Sequence, residues 1–305
     1  MAENKDLSFT VPEELAGFRL DKGISEYYEE ISRSRISKVI KDGGVSVNGR
    51  AMKASSILEA SDKVSFTLPD SAIPDIEPED IPLDILYEDD AVIIVNKPKG
   101  MVVHPAAGHY SGTLVNALMY HCKDLSGING VLRPGIVHRI DKDTTGSLIV
   151  CKNDRAHRDI AGQLAIHSID RRYRAVVHGR FAKDMGTVDL PIGRDRRDRK
   201  KMAVDPAGKR AVTHYRVLES FKEYSYIECR LETGRTHQIR VHMAHTGHPV
   251  LGDEVYGFRK TGIKTCGQTL HAFFLGFKSP ATGEYTEVTA PIPEYFNEIL
   301  EKLRS

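Results

Sequence analysis

The sequence predicts an α+β protein, with a small α/β module followed by a larger domain built around a mixed, mainly antiparallel β-sheet. After residue 85, strand-like runs outnumber helical ones and do not alternate with them regularly. Regular alternation would have favoured a doubly wound parallel sheet, whereas clustered strands favour the α+β class. We therefore predict a first domain over residues 1–70, a linker over 71–84 and a second domain over 85–305.

The N-terminal module is predicted from an amphipathic helix, a hairpin and a further strand. Residues 34–41 have helical spacing, and Gly43 and Gly44 can end the helix. Its apolar face carries Ile36, Val39 and Ile40, and its basic face carries Arg35, Lys38 and Lys41. Residues 45–50 alternate into an Asn-Gly turn, which is typical of a hairpin, and residues 63–68 form the further strand.

The formal net charge of +1 conceals an uneven distribution. Residues 71–90 carry eight acidic and no basic side chains, together with Pro74, Pro78 and Pro82, which is typical of a linker. Residues 91–305 carry 33 basic and 22 acidic side chains, a net charge of +11. A basic body favours a polyanionic partner, although membranes and acidic proteins attract such a charge too.

The larger domain is predicted to combine many strands with fewer helices. The strands are predicted over residues 91–95, 135–140, 147–151, 172–179, 212–218, 224–231 and 272–277, and the helices over 113–121 and 154–167.

Composition argues against an exported or membrane-embedded protein. No apolar run approaches the roughly 18 residues of a membrane span, and residues 1–6 contain no apolar signal core. The four cysteines are widely spaced and form no Cys-x-x-Cys pair, so we expect free thiols in a reducing cytoplasm.

The most informative segment is the polar stretch over residues 137–146. Asp141 lies there between Arg139 and Lys142, flanked by two predicted strands. A loop held between strands can aim a carboxylate at a substrate, and nearby positive charge favours its ionised form. An ionised aspartate is a candidate nucleophile or general base, although a turn aspartate would explain the segment equally well.

This segment resembles the His-Arg-Leu-Asp-x-x-Thr-Ser-Gly signature of the RNA pseudouridine synthases, with Ile140 and Thr145 as conservative departures. Further segments resemble that family in the same order, over residues 97–105, 173–179 and 231–242. The combination is similar to the RluA/RluD type, and most of all to the members that modify large-subunit ribosomal RNA. The resemblance implies a pseudouridine synthase fold for the larger domain.

The resemblance also implies catalytic roles for Asp141, Tyr173 and Arg240. Isomerising uridine requires breaking the bond between C1′ and the base nitrogen, rotating the base and rejoining it through carbon-5. Because no redox partner or group donor is needed, we expect no cofactor. Asp141 would act as nucleophile or base, Arg240 would pair with it, and Tyr173 would remove the last proton with help from a nearby positive charge. In isolation, a packed strand tyrosine and a surface arginine would be the simpler interpretations.

Other residues are expected to bind the substrate nucleotide. A paired uridine must leave the base stack to be reached. The resemblance implies that Arg139 fills the space left by the flipped base and that His138 supports the loop. The last family motif adds Arg235, His237 and Gln238 as substrate-binding candidates.

Phosphate contacts are expected from two basic regions. Residues 18–68 resemble the small RNA-binding domain first seen in ribosomal protein S-four, which implies that its helix lies along phosphates, although a solvated face would look the same. The second region is a predicted loop over residues 194–201. The candidates in the first region are Arg33, Arg35, Lys38 and Lys41, and those in the second are Arg196, Arg197, Arg199, Lys200 and Lys201.

Alternatives remain for metal content and for function. His237, His242, His245 and His248 suggest zinc, but no cysteine or His-Glu-x-x-His pattern accompanies them, so we expect no metal. The rival functions are the same chemistry on transfer RNA or another RNA, a non-catalytic RNA-binding ribosome assembly factor, and a hydrolase that uses an aspartate with a histidine. We expect a cytoplasmic monomer that meets ribosomal RNA or pre-ribosomal particles and no membrane.

Overall fold

The computed structural model describes residues 5–28, 31, 33–68, 76–105, 110–122, 125–128, 134–199, 201–258 and 262–305. The chain divides into two compact units, Met1–Pro74 and Asp75–Ser305. Lys200, the side chains of Arg35 and Lys38, and residues 71–75 of the predicted linker lie outside the described residues.

The first unit is a small α/β module with an antiparallel sheet. Its elements are β1 (Lys5–Thr10), a 3-10 turn (Glu13–Leu15), α1 (Leu20–Tyr27), α2 (Arg33–Lys41), β2 (Val45–Val47), β3 (Arg50–Ala51) and β4 (Lys63–Leu68). The sheet order is β1-β4-β2-β3. The predicted helix, hairpin and strand are confirmed by α2, by β2 with β3, and by β4. Sequence reasoning missed α1, because Gly23 lowers its helical propensity while tertiary burial of Leu20 and Ile24 stabilises it.

The second unit contains a large mixed sheet with helices on both faces. Its first elements are β5 (Ile85–Glu88), β6 (Val92–Lys97), α3 (Leu114–His121), β7 (Thr145–Cys151), α4 (Asp154–Ala165), β8 (Asp170–His178), β9 (Met185–Asp189) and β10 (Ile192–Arg194). The chain continues with β11 (Met202–Val204), β12 (Val212–Ser220), β13 (Tyr224–Leu231), α5 (Gln238–His245), β14 (Leu270–Lys278), β15 (Tyr285–Thr289) and α6 (Glu294–Arg304).

Nine of the described strands form one sheet, with the order β5-β6-β7-β14-β8-β13-β12-β9 and β15 paired with β14. β7 and β14 run parallel, and the other neighbouring strands of the described sheet are antiparallel. β10 and β11 form a separate antiparallel pair. The predicted α+β class with a mainly antiparallel, mixed sheet is therefore confirmed.

The centre of the sheet is buried on both faces. In β6, Ile93 and Val95 pack into the cluster that includes α3, whereas Val92 and Ile94 pack into the cluster that includes α4. Successive strand residues point to opposite faces, so burial of both faces explains why this strand is continuously apolar in sequence.

The predicted strand over residues 135–140 is wrong. Ile136 forms an isolated bridge with Val150, after which the chain is extended but does not join the sheet. The ring of His138 takes the place of a backbone partner, because its Nε2 accepts the N–H of Ile149 at 3.2 Å. The segment leaves the sheet here and is free to form the loop that carries Asp141.

The described end of the predicted linker lies against α3. Asn116 donates from its side chain to the carbonyl of Glu77 at 2.9 Å, and the N–H of Glu79 donates to the carbonyl of Asn116 at 3.0 Å. Residues 76–84 form no helix or strand. No helix in the described part of the chain is both long and apolar enough to cross a membrane.

Candidate active site

A buried lysine holds the loop that carries Asp141. Lys97, at the end of β6, donates from Nζ to the carbonyl oxygens of Pro98, Met101 and Lys142 at 2.8, 2.9 and 2.8 Å. The N–H of Gly100 donates to the same Lys142 carbonyl at 3.0 Å. Burial lowers the pKa of Lys97 to about 7, against the opposing effect of nearby carboxylates. One ammonium group thus joins the motif over residues 97–105 to the Asp141 loop.

Gly146 sets the end of this loop against the neighbouring strand. Its φ is 108°, and a Cβ atom there would lie 2.2 Å from the carbonyl oxygen of Ala272 on β14. Only glycine fits both the backbone conformation and the approach of the parallel strands. The glycine therefore fixes where the chain turns from the Asp141 loop into β7.

Arg240 connects Asp141 to a second, buried carboxylate. Its Nη1 donates to Oδ2 of Asp141 at 2.8 Å, and its Nε and Nη2 donate to Oδ2 and Oδ1 of Asp253 at 2.6 and 2.8 Å. The Asp253 side chain is fully buried, that of Arg240 is 6% exposed, and that of Asp141 is 17% exposed. The bidentate pair with Asp253 orients the guanidinium, while Asp141 keeps an accessible edge.

The charges of Asp253 and Arg240 are stabilised in their ionised forms. Burial alone would raise the pKa of Asp253, but Arg240 and the N–H groups of Tyr256 and Val255 hold it below its ordinary value. Burial alone would lower the pKa of Arg240, but its two carboxylate partners raise it. The pair is therefore ionised throughout the physiological pH range.

His237 borders Asp141 on its other side. Its Nε2 lies 3.7 Å from Oδ1 of Asp141, and its Nδ1 is 2.8 Å from the hydroxyl of Tyr256. Burial lowers the pKa of His237, although the charge of Asp141 opposes this shift. His237 adopts a left-handed backbone (φ 57°) immediately before α5, which is uncommon for a residue with a side chain.

Two adjoining cavities meet at Asp141, with volumes of about 520 and 340 Å³. Both are lined by Arg139, Ile140, Asp141, His237 and Arg240. The larger cavity has the size of a small-molecule site. Its basic lining favours an anionic ligand such as a nucleotide.

Tyr173 lies in the larger cavity on β8, next to a second arginine. It is 8% exposed, and it pairs with Cys229 on β13 and Ala272 on β14. Burial raises the pKa of Tyr173, and the charge of Arg171 opposes the increase. The structure brings Asp141, Tyr173 and Arg240 together around one cavity from a loop, a strand and a helix.

The substrate-binding candidates differ in how they are engaged. Arg139 is exposed beside Asp141, whereas burial and the Arg171 charge lower the pKa of His138 to about 3, consistent with its neutral Nε2 acceptor. Arg235 lines the cavity and donates from Nε to the carbonyl of Arg210 at 2.9 Å.

Gln238 is used within the protein. Its Oε1 accepts from the hydroxyl of Thr233 and the N–H of Arg235, at 2.8 and 2.9 Å. Its Nε2 donates to the carbonyl of Val212 and the hydroxyl of Thr213, at 2.9 and 3.0 Å. These four bonds satisfy the amide, so Gln238 supports the cavity wall.

The described RNA-contact candidates belong to both units. Arg33 donates to the buried Asp21 at 3.0 and 2.8 Å, and Lys41 is exposed at the end of α2. Residues 195–201 connect β10 to β11, a pair of strands that was not predicted. Exposed side chains in this connection belong to Arg196, Arg197 and Arg199, and that of Lys201 is partly buried.

Three of the four histidines of the zinc alternative, His237, His242 and His248, have separate hydrogen-bond partners. His242 contacts the hydroxyl of Thr213 and the carbonyl of Leu190 through its two ring nitrogens, both at 2.9 Å. Nδ1 of His248 lies 2.9 Å from the carbonyl oxygen of His178. None of the four belongs to a group of potential metal ligands among the described residues.

Sequence reasoning gave no role to several residues that shape the site. The sequence contains Gly252-Asp253 shortly after the last motif, but only the structure shows the bidentate bonds of Asp253 to Arg240. It likewise gave no sign that Lys97 and Arg171 are buried, since a charged residue in a polar or strand segment is usually exposed.

Comparisons with known proteins identify the two parts of the chain. Residues 91–245 match the family described as RNA pseudouridylate synthase, and residues 18–64 match the S4 domain. An uncharacterised RNA pseudouridine synthase of Bacillus subtilis strain 168 is 54% identical over 298 residues, which cover 98% of each chain. The ribosomal large subunit pseudouridine synthase D of Zymomonas mobilis subsp. mobilis is 49% identical over 298 residues, covering 93% of each chain.

Among solved structures, the human RNA pseudouridylate synthase domain containing 1 is similar in fold. The likeness has a TM-score of 0.57 at 24% identity, and it covers 73% of this chain and 95% of the human one. With the family match over residues 91–245 and relatives near half identity along nearly the whole length, this chain belongs to the RluA/RluD-type RNA pseudouridine synthases and carries an N-terminal S4 domain.

Proposed function

We propose that this enzyme isomerises specific uridines of large-subunit ribosomal RNA, with Asp141 as nucleophile or base toward the sugar. The observation that carries the proposal is the position of Asp141. It lies where two cavities meet, ionically paired with Arg240, and it retains an accessible edge. In this role Arg240 fixes the direction of the carboxylate.

Tyr173 is proposed to take the proton from carbon-5 after the base has rotated and rejoined the sugar. It lines the same cavity as Asp141 from a different element, so one base can meet both side chains. Arg139, exposed beside Asp141, is proposed to occupy the gap left in the RNA when the uridine flips out.

Ribosomal RNA is the proposed substrate because relatives close to half identical carry that substrate in their names. The S4 domain, through Lys41 and its neighbours on α2, and the loop between β10 and β11 are proposed to bind phosphates of the RNA. We propose that the enzyme acts as a monomer in the cytoplasm, on ribosomal RNA or pre-ribosomal particles.

The proposal is tested by mapping pseudouridine in total RNA from cells with and without the gene, and after complementation. The wild-type gene should restore specific large-subunit positions, whereas Asp141→Asn should restore none. Asp184→Asn removes an exposed carboxylate on the same unit and should behave as wild type. Restoration at transfer RNA positions alone would favour the rival substrate, and restoration by Asp141→Asn would refute the role of Asp141.

A further inference from the structure

Arg171 is a buried arginine that lies on the same face of β8 as Tyr173. The two residues are two positions apart, so their side chains point to the same side, separated by about 6.6 Å of strand. Arg171 is 6% exposed, and both side chains line the larger cavity. Arg172, between them, points to the opposite side and pairs with Asp170.

The guanidinium of Arg171 is not neutralised by a described carboxylate. Its Nη2 donates to the carbonyl of Glu232 at 3.3 Å, and its buried Nε has no hydrogen-bond partner within the described chain. Arg240, in the same cavity, has two carboxylate partners. A buried charge without a counter-ion is energetically costly. We therefore expect Arg171 to have a function in the reaction.

The backbone opposite Arg171 leaves room for its guanidinium. A Cβ atom at Gly234 would lie 2.6 Å from Nη1 of Arg171. The glycine therefore permits a close approach that a larger residue would block. Arg171 is held between the Glu232 carbonyl and Gly234, both on the chain that leads from β13 to α5.

The cavity contains a single described carboxylate, Asp141, which is already paired with Arg240. The other titratable groups that face Arg171 and Tyr173 are His138 and Arg139 from the Asp141 loop, His167 after α4, Cys229 on β13, and Arg235, His237 and Arg240 beyond it. None of these groups is a carboxylate, and burial raises the pKa of the Cys229 thiol. Among this chain's own groups in the cavity, the phenolate of Tyr173 is therefore the one further anion that the reaction could place beside Arg171.

We propose that Arg171 is a positioning residue that stabilises the phenolate of Tyr173 when carbon-5 loses its proton. This inference rests on the proposed role of Tyr173. The C5–H proton moves to the phenolate oxygen, and its electron pair re-forms the C5=C6 double bond. The C6=N1 pair moves onto N1, which takes a proton from water, and Tyr173 returns its own proton to water.

The electrostatics of the two side chains are reciprocal. Burial raises the pKa of Tyr173 and Arg171 lowers it, while burial lowers the pKa of Arg171 and Tyr173 raises it. Ionisation of Tyr173 turns a lone buried cation into a neutral pair. Each group thus favours the charged form of the other.

Arg171→Gln provides the first test, with Arg171→Lys as the charge-conserving variant and Arg172→Gln as the control on the opposite face. The substrate is a large-subunit ribosomal RNA transcript whose uridines carry hydrogen or deuterium at carbon-5. Arg171→Gln should shift the ascending limb of the pH–rate profile upward by about one unit, which is about tenfold in rate below the limb. Its deuterium isotope effect should rise, because proton removal becomes slower. Arg171→Lys should retain most of the wild-type profile.

Gly234→Ala is a second variant that displaces the guanidinium and keeps its charge, and it should shift the profile in the same direction. An unchanged pH profile and isotope effect in a folded Arg171→Gln or Gly234→Ala enzyme would overturn the inference. A loss of activity in either variant that is equal at every pH would also overturn the inference. If Tyr173→Phe is as active as wild type, the proposed role of Tyr173 fails instead, and the two failures are thereby distinguished.

Discussion

Arg240 is bound by Asp141 through one nitrogen and by Asp253 through the other two. The two carboxylates therefore differ in function although they share a partner. Asp253 is buried and accepts two further backbone N–H groups from Val255 and Tyr256, at 2.9 and 3.0 Å. Asp141 is partly exposed and lines both cavities, so Asp253 is the fixed support of the pair.

Asp253→Asn should lower kcat by about 100-fold with little change in KM, because a small misplacement of Arg240 misdirects Asp141. Asp253→Ala should also reduce the free energy of unfolding by about 3–5 kcal/mol, since it leaves part of a buried charge pair uncompensated. Single-turnover rates and urea unfolding measure the two effects. Wild-type rates in Asp253→Asn would show that Arg240 directs Asp141 without support from Asp253.

Asp253 should also contribute to acid stability. Its pKa in the folded state is below the ordinary value of 3.8, so its stabilisation is present above about pH 4. That stabilisation is lost as the pH falls through the lowered folded-state pKa. Unfolding free energies of wild type and Asp253→Asn, measured between about pH 5 and pH 2, should converge as the pH falls. Parallel curves would contradict the ion pair as the source of the effect.

Lys97→Met should loosen the Asp141 loop while the rest of the sheet stays folded. The three carbonyls around Nζ lose their donor, and the N–H of Gly100, which bonds to one of them, should exchange faster. Lys99→Met is the matched control, because Nζ of Lys99 lies 4.0 Å from the ring centroid of Tyr295 and not among these carbonyls. Equal amide exchange in the two variants would contradict the role assigned to Lys97.

The lowered pKa of Lys97 should have opposite effects, as the pH rises, on the protection of the loop and on the free energy of unfolding. Above a pKa of about 7 the neutral amine has only two N–H groups for three carbonyls, so loop protection and activity should fall. The unfolded chain keeps the proton up to about pH 10.5, so global stability from this group rises with pH between the two values. Amide exchange and urea unfolding at pH 6 and pH 9 separate the two trends.

Deleting residues 1–74 should weaken RNA binding more than it damages chemistry on a short substrate. The contact boundary falls after Pro74, and the residues around Asp141 all belong to the second unit. Each lost phosphate contact should flatten the salt dependence of affinity by about 0.7–0.9 in log–log slope. The combined substitution of Arg35, Lys38 and Lys41 by Gln should reproduce this effect, with Lys63→Gln as control. An unchanged slope in both variants would show that the module does not hold RNA.

Activity should survive chelation by EDTA while the RNA itself is kept folded. Isomerisation needs no redox step, and the described residues offer a potential metal group only at Glu88, His121 and Cys122. Glu88 is already bonded there to His121 and to Lys152, both at 3.0 Å. Turnover before and after chelation, with and without added zinc, measures this. Inactivation that zinc alone reverses would contradict the prediction.

Local patterns in the sequence predicted much of the architecture. Two-residue alternation and apolar runs located strands such as β6, β8 and β13, and helical spacing located α2 and α4, because these signals depend on neighbours along the chain. The motif around Asp141 and the motif around Arg240 were likewise visible as sequence. The segment 135–140 has the same apolar character as a strand, yet a histidine side chain replaces the backbone ladder there.

The contacts that make a site were decided only by the tertiary structure. Asp141 and Arg240 are 99 residues apart, and no local preference determines the 2.8 Å bond between them. Burial of Lys97 and Arg171, and the pairing of Asp253 with Arg240, depend on how the sheet, α5 and the loops pack. The sequence by itself determined the residue types and the elements that carry them. Packing determined which charged groups are desolvated and which partner each one contacts. Desolvation and the charge of the partner together determine the pKa of a carboxylate, a phenol or an ammonium group.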